Sequence, residues 1–238
     1  MIDFHSHILP AMDDGSRNIE ESLQMLRMLQ EQGVERVIAT PHFYADENPP
    51  DVFLRRRADA WEHLRAHLTQ GLPHVLLGAE VHYFQGISRT EQVRQLCIQD
   101  TGVLLLEMPF SGWSSRTVED LAALAQQQEM TVMLAHVERY LPDQPRALWP
   151  KLRRMGILFQ CNASFFLDWR TKHRAVKMLR NREIDILGSD CHGVSYRPPR
   201  LDEAAKFICR HAGNEALSRL EDCSRRNRLV SGRNVFST

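Results

Sequence analysis

The sequence lacks patterned cysteine. Its five cysteines, Cys97, Cys161, Cys191, Cys209 and Cys223, form no C-x-x-C pair and are odd in number. That argues against a disulfide framework and a thiolate zinc site, and favours free thiols in a reducing cytoplasm. Long hydrophobic runs are missing too. The longest apolar stretches, such as 103–106, are far too short to cross a bilayer, so no membrane insertion is expected. The opening Met1-Ile2-Asp3-Phe4-His5 has no basic segment and no apolar core, so no signal peptide is expected. Net charge is absent: Lys+Arg and Asp+Glu are both 30 in 238 residues. This balance argues against a general nucleic-acid coat or a membrane-surface binder. No linker, repeat or low-complexity segment appears, and a single domain over 1–238 is expected.

What is present is alternation. Apolar runs at 1–7, 34–42, 74–80, 102–107, 131–136, 157–162 and 184–190 read as strands. Helical periodicity lies between them, at 18–32, 51–70, 116–128, 145–155, 171–182 and 201–210, with a further helix at 215–226. In the first of these, Ile19, Leu23, Leu26 and Leu29 share a side, and Gly33 suits the C-terminal cap. Seven strands alternating with helices imply parallel βαβ units, closed as a barrel or wound as an open sheet.

Position is the informative feature. His5 and His7 end the first strand candidate, His42 the second, Glu80 the third, Glu107 the fourth, and His136 the fifth. Asp190 and His192 end the seventh. In a parallel barrel those ends open on one face, where active sites form. A lone histidine or glutamate at a strand end is usually structural, but a ligand-type residue at six strand ends is hard to reach by chance. Imidazole and carboxylate without thiolate suit zinc, manganese or iron. His5-Ser6-His7 and Asp190-Cys191-His192 each place two ligands on one strand face. Glu80 is a candidate bridge between ions.

The motifs His5-Ser6-His7, Asp13-Asp14-Gly15, Thr40-Pro41-His42, Gly78-Ala79-Glu80, Leu106-Glu107, Ala135-His136-Val137-Glu138-Arg139 and Ser189-Asp190-Cys191-His192 resemble the series of the polymerase-and-histidinol-phosphatase superfamily. The opening residues and Asp13-Asp14-Gly15 are similar to the CpsB-type bacterial tyrosine phosphatases of capsule and exopolysaccharide systems. The resemblance implies an α/β fold, a distorted (β/α)₇ TIM-like barrel, and three divalent metal ions, manganese favoured with iron and zinc as alternatives. It implies one ion on His5, His7, Glu80 and Asp190, a second on Glu80, Glu107 and His136, and a third on Asp14, His42 and His192. Asp13 is an alternative to Asp14. It further implies a phosphotyrosine protein substrate, a bacterial tyrosine kinase foremost. Rival readings are a small-molecule phosphatase of the histidinol-phosphate type and a non-catalytic metal-binding domain.

Arg139 and Arg197 match phosphate-binding arginines of that branch, and a guanidinium forks phosphate oxygens while staying charged. Cys191 to Arg197 also fits C-x₅-R, the loop of cysteine-dependent phosphatases. Pro198-Pro199 stand where that loop needs backbone donors, so the cysteine reading is disfavoured. His63 and His67, four apart, are expected on a solvated helix face, as is the run Arg55-Arg56-Arg57. Trp61, Leu64 and Leu68 are expected in the core. His82 is a candidate pocket residue, and Asn162 a polar rim residue.

Overall fold

The structure, a computed structural model, describes residues 1–127 and 130–226, with side chains to 223. Gln128, expected to end a helix, and 227–238, expected within the single domain, lie outside the described residues. The described residues form nine strands, most of them separated by helices: β1 Ile2–Ser6, β2 Arg36–Ala39, β3 His42–Phe43, β4 His74–Leu77, β5 Glu80–His82, β6 Val103–Glu107, β7 Thr131–Leu134, β8 Leu158–Asn162 and β9 Ile186–Gly188. Every named pairing is parallel, in the orders β1-β2-β4 and β3-β5-β6-β7-β8-β9.

The seven expected staves are all there, but two are broken. The second divides into β2 and β3 at Thr40-Pro41, the third into β4 and β5 at Gly78-Ala79. Pro41 has no N–H to continue a ladder, yet its carbonyl still accepts from Glu80 N at 3.0 Å, and Ala39 O accepts from Gly78 N at 2.8 Å. Pairing therefore survives the kink. The ring closes between the first and last staves. Ser6 bridges Cys191 in parallel, Asp190 N donates to His5 O at 2.8 Å, and His7 N donates to Cys191 O at 3.0 Å. With the end of β1 bridged to the segment that follows β9, the fold is a distorted seven-stave barrel rather than an open sheet.

Helices α1 Ile19–Glu31, α2 Pro50–Arg65, α3 Ser115–Ala125, α4 Leu148–Arg154, α5 Ala163–Leu167, α6 Lys172–Arg180, α7 Leu201–Ala212 and α8 Asn214–Arg226 complete the fold. Asn18 caps α1 by accepting from Glu21 N at 2.9 Å, and Gly33 follows it with φ 76°, as its position predicts. Two apolar clusters hold the layers. One is the barrel filling, with Phe4, Ile38, Leu105, Met133 and Ile186; the other includes strand residues Val37, Leu104, Leu106, Leu134 and helix residues Leu26 and Leu29. Leu64 is fully buried, while Trp61 and Leu68 are half-buried against the second cluster. Arg57 departs from the expected solvated run: its Nη1 donates to Gly78 O at 2.6 Å beside the broken third stave. Burial there lowers its pKa to about 10. His63 and His67 are exposed, and His67 Nδ1 meets the carbonyl of His63 at 2.8 Å.

Candidate metal centre and active site

At the C-terminal end of the barrel the expected side chains come together. His5 Nε2 and His7 Nε2 stand 3.2 Å apart, and the His7 and His192 rings stack at 3.9 Å. Two glycines make room for this. A Cβ on Gly188 would lie 2.7 Å from His5 Cβ and 2.8 Å from Gln160 Nε2; one on Gly15 would lie 2.4 Å from His7 Cβ. No larger residue fits either place without moving a ligand-type histidine.

Glu80 is the centre. Its Oε2 lies 3.0 Å from His5 Nε2, 3.3 Å from His7 Nε2 and 3.1 Å from His42 Nδ1; its Oε1 lies 2.9 Å from His136 Nε2. Glu107 Oε1 is 3.2 Å from His136 Nε2, and its Oε2 is 3.0 Å from His82 Nδ1. Asp190 Oδ1 is 3.5 Å from His5 Nε2 and 3.6 Å from His7 Nε2. Asp14 Oδ1 is 3.5 Å from His42 Nε2 and 3.4 Å from His192 Nε2. Asp13 does other work: its Oδ2 sits 2.6 Å from His7 Nδ1 and accepts from His42 N at 2.9 Å. Of the acidic pair, Asp14 faces the cluster and Asp13 orients His7 from behind.

Among the described residues, three groups have donor atoms close enough to share an ion: His7, Asp14, His42 and His192; His5, His7 and Asp190; and His42, Glu80 and Glu107. His7 and His42 each border two groups, which blurs the partition expected from the motifs. The donor set fits divalent cations on two counts. His42 Nδ1 and Glu80 Oε2, buried and 3.1 Å apart, have no hydrogen-bond partner among the described residues. Such orphaned buried lone pairs are costly unless an ion or water uses them. The charges also call for a cation. Burial opposes ionisation of Glu80 and Asp190, but His5 and its neighbours outweigh it and hold both carboxyls below the ordinary range. Burial likewise opposes protonation of His136, yet Glu107 and Glu80 raise it to about 9. His192 goes the other way, to about 4, through burial and the nearby His7.

Both arginines reach the same carboxylate oxygen. Arg139 Nη2 donates to Asp190 Oδ2 at 2.9 Å, and Arg197 Nη2 donates to that same atom. Asn162 Nδ2 adds a third donor at 2.6 Å, so this rim residue belongs to the site. Three site residues hold left-handed backbone without being glycine: His136 at φ 30°, Asp190 at 53° and Arg197 at 50°. Such strain persists where surrounding contacts over-determine it. Cys191 is fully buried and packs in the apolar cluster. Burial pushes its thiol far up, so it offers no thiolate.

Gln160, Tyr140 and Asp3 are missed by sequence reasoning. Gln160 Oε1 lies 3.2 Å from His5 Nδ1 and accepts from His136 N at 2.7 Å. Tyr140 OH stands 3.2 Å from His136 Nδ1 and accepts from Met108 N at 2.9 Å. Asp3 accepts from Ser189 N at 2.8 Å and Ser189 Oγ at 2.6 Å, locking β1 to the Asp190 turn. For Gln160 a signal existed: it is a polar residue two before Asn162 in an apolar strand.

The model of the family described as "Capsular polysaccharide synthesis, CpsB/CapC" matches residues 1–227. The chain belongs to this family. Within CpsB/CapC, it is 29% identical over 241 residues to "Tyrosine-protein phosphatase CpsB" of Streptococcus agalactiae, covering 92% of this chain and 94% of that one. It is 30% identical over 224 residues to "Tyrosine-protein phosphatase YwqE" of Bacillus subtilis, covering 90% and 86%. A solved structure from the report on YwqE of Bacillus subtilis and CpsB of Streptococcus pneumoniae, "unique metal-dependent tyrosine phosphatases", superposes with TM-score 0.80 at 25% identity, covering 95% of both chains. No described helix is long and apolar enough to cross a membrane.

Proposed function

We propose that this chain is a metal-dependent protein-tyrosine phosphatase. The observation that carries the reading is the convergence of nine ligand-type side chains, His136 joining through Glu80 and Glu107, with Arg139 and Arg197 meeting at Asp190 Oδ2, in a CpsB/CapC chain whose relatives bear that name. His5, His7, Glu80 and Asp190 would hold one divalent ion, Glu80, Glu107 and His136 a second, and Asp14, His42 and His192 a third. Manganese is favoured, with iron and zinc as alternatives. Bound there, such ions supply Lewis acidity, bringing the pKa of a water down to about 7 and opposing the phosphoryl charge.

The chain's own residues do the rest. Asp14, Glu80, Glu107 and Asp190 do not neutralise three divalent ions, so the pocket attracts a phosphomonoester dianion. Arg139 and Arg197 fork two phosphoryl oxygens as charge develops. Asp190 and Asn162 keep those guanidinium groups aimed inward before substrate arrives. Water attacks phosphorus in line with the tyrosyl oxygen, and no covalent enzyme intermediate forms. The leaving phenol has an ordinary pKa of about 10, which makes it a better leaving group than an alkyl alcohol. The free thiols fit a cytoplasmic setting, and the family's capsular description fits a bacterial tyrosine kinase as the phosphorylated partner.

The test compares phosphotyrosyl peptide with histidinol phosphate under one metal condition. The proposal predicts a kcat/KM higher for the peptide by a factor of roughly 10 or more. Preference for histidinol phosphate would assign the site to small-molecule hydrolysis instead.

A further inference from the structure

We infer that Phe110 reads the aromatic ring of the phosphorylated side chain, making the site selective for aryl over alkyl phosphate monoesters; the inference rests on the phosphatase reading above. Phe110, Trp169 and Tyr196 are the large hydrophobic residues left exposed among those described. Phe110 and Tyr196 stand in the loops that leave the C-terminal ends of β6 and β9, on the ligand face, whereas Trp169 lies in the turn after α5. Phe110 is the one tied to the site by distance. Its ring centroid is 6.0 Å from that of His136 with the planes 28° apart, and the Arg139 guanidinium carbon lies 5.9 Å from its centroid.

The ring is held rather than adrift. Met108 N donates to Tyr140 OH at 2.9 Å, and the Tyr140 ring stacks on Phe110 at 5.9 Å. Trp113 Nε1 donates to Pro109 O at 2.9 Å, and Gln144 Nε2 donates to Ser111 O at 2.9 Å. The loop on both sides of Phe110 is thus pinned, while the residue stays 49% exposed. An apolar ring fixed beside a phosphate-gripping arginine is a preformed platform. In an aryl phosphate the substrate ring begins one ester oxygen from phosphorus. With its phosphoryl group on Arg139 and Arg197, that ring meets the Phe110 face or edge. Aromatic pairs of this kind are favourable beyond the area they bury, whereas an alkyl phosphate offers no π face.

The experiment uses the metal-loaded protein and two non-hydrolysable probes, benzylphosphonate and ethylphosphonate, in which a methylene stands for the ester oxygen, with binding measured by calorimetry. Phe110→Ala should lose about tenfold in affinity for benzylphosphonate, while ethylphosphonate and inorganic phosphate bind as before. Phe110→Trp should retain the preference. In turnover, the alanine variant should raise KM for phenyl phosphate and leave KM for an alkyl phosphate unchanged. Equal losses for both phosphonates, or no loss for either, overturns the inference. If wild type hydrolyses aryl phosphate and Phe110→Ala matches it, this inference alone falls. If wild type hydrolyses no monoester, the phosphatase reading falls and takes this one with it.

Discussion

Two arginines meeting one carboxylate oxygen make a poor resting arrangement for a fold and a good one for a phosphate site. Asp190 Oδ2 occupies the guanidinium donors that a phosphoryl oxygen would take. Neither arginine is core: Arg139 is 37% and Arg197 31% exposed. Arg139→Ala and Arg197→Ala should therefore keep metal content and melting temperature while losing activity by a factor of roughly 10² each, the scale for deleting a preorganised electrostatic contact. Arg→Lys should rescue only in part, because an ammonium cannot fork two oxygens. Near-wild-type turnover in either alanine variant would remove that arginine from the site. At this scale the histidines and carboxylates are legible in the sequence, because strand periodicity puts them at stave ends. Tyr140 is not: a tyrosine four after a histidine carries no signal until the barrel brings it to His136, and the signal at Gln160, a polar residue in an apolar strand, does not name His5 as its partner.

Among the elements, the short closing strands carry the most. Asp3 sits beneath His5, takes three donors from Ser189 and His5, and is fully buried. Burial dominates those donors and raises its pKa from 3.8 to about 6. Because the folded value exceeds the unfolded one, Asp3's contribution to stability is full below pH 3.8 and lost as pH rises through about 6. Asp3→Asn removes that dependence and adds a constant penalty, since an amide oxygen cannot replace both carboxylate acceptors. In chelated protein, the melting-temperature advantage of wild type over Asp3→Asn should be largest near pH 4 and shrink towards pH 7, by up to roughly 3 kcal/mol in stability. An advantage that grows with pH would contradict the placement. The alternation of seven staves with helices is legible from periodicity, and the end of α1 is legible from Gly33. The breaks at Thr40-Pro41 and Gly78-Ala79 are not, because periodicity reports which face a residue takes and not where a ladder kinks. Arg57 illustrates the same limit: its charge reads as solvated, and only the kinked third stave supplies the carbonyl that buries it.

For the whole molecule, closure is what converts scattered motifs into one site. Ligands from residues 5 to 192 meet only because the last stave returns to the first, with Ser6 on Cys191. The same closure buries Cys191 and takes the C-x₅-R pattern out of contention. Hydrolysis by a metal centre of histidines and carboxylates needs no thiol nucleophile. Phosphate release from a phosphotyrosyl peptide is to be followed with wild type and Cys191→Ser, first after chelation and then as manganese is restored. Both proteins should be silent when chelated, and both should recover most of their activity with manganese. Undiminished turnover by the chelated wild type, together with a dead Cys191→Ser, would contradict it.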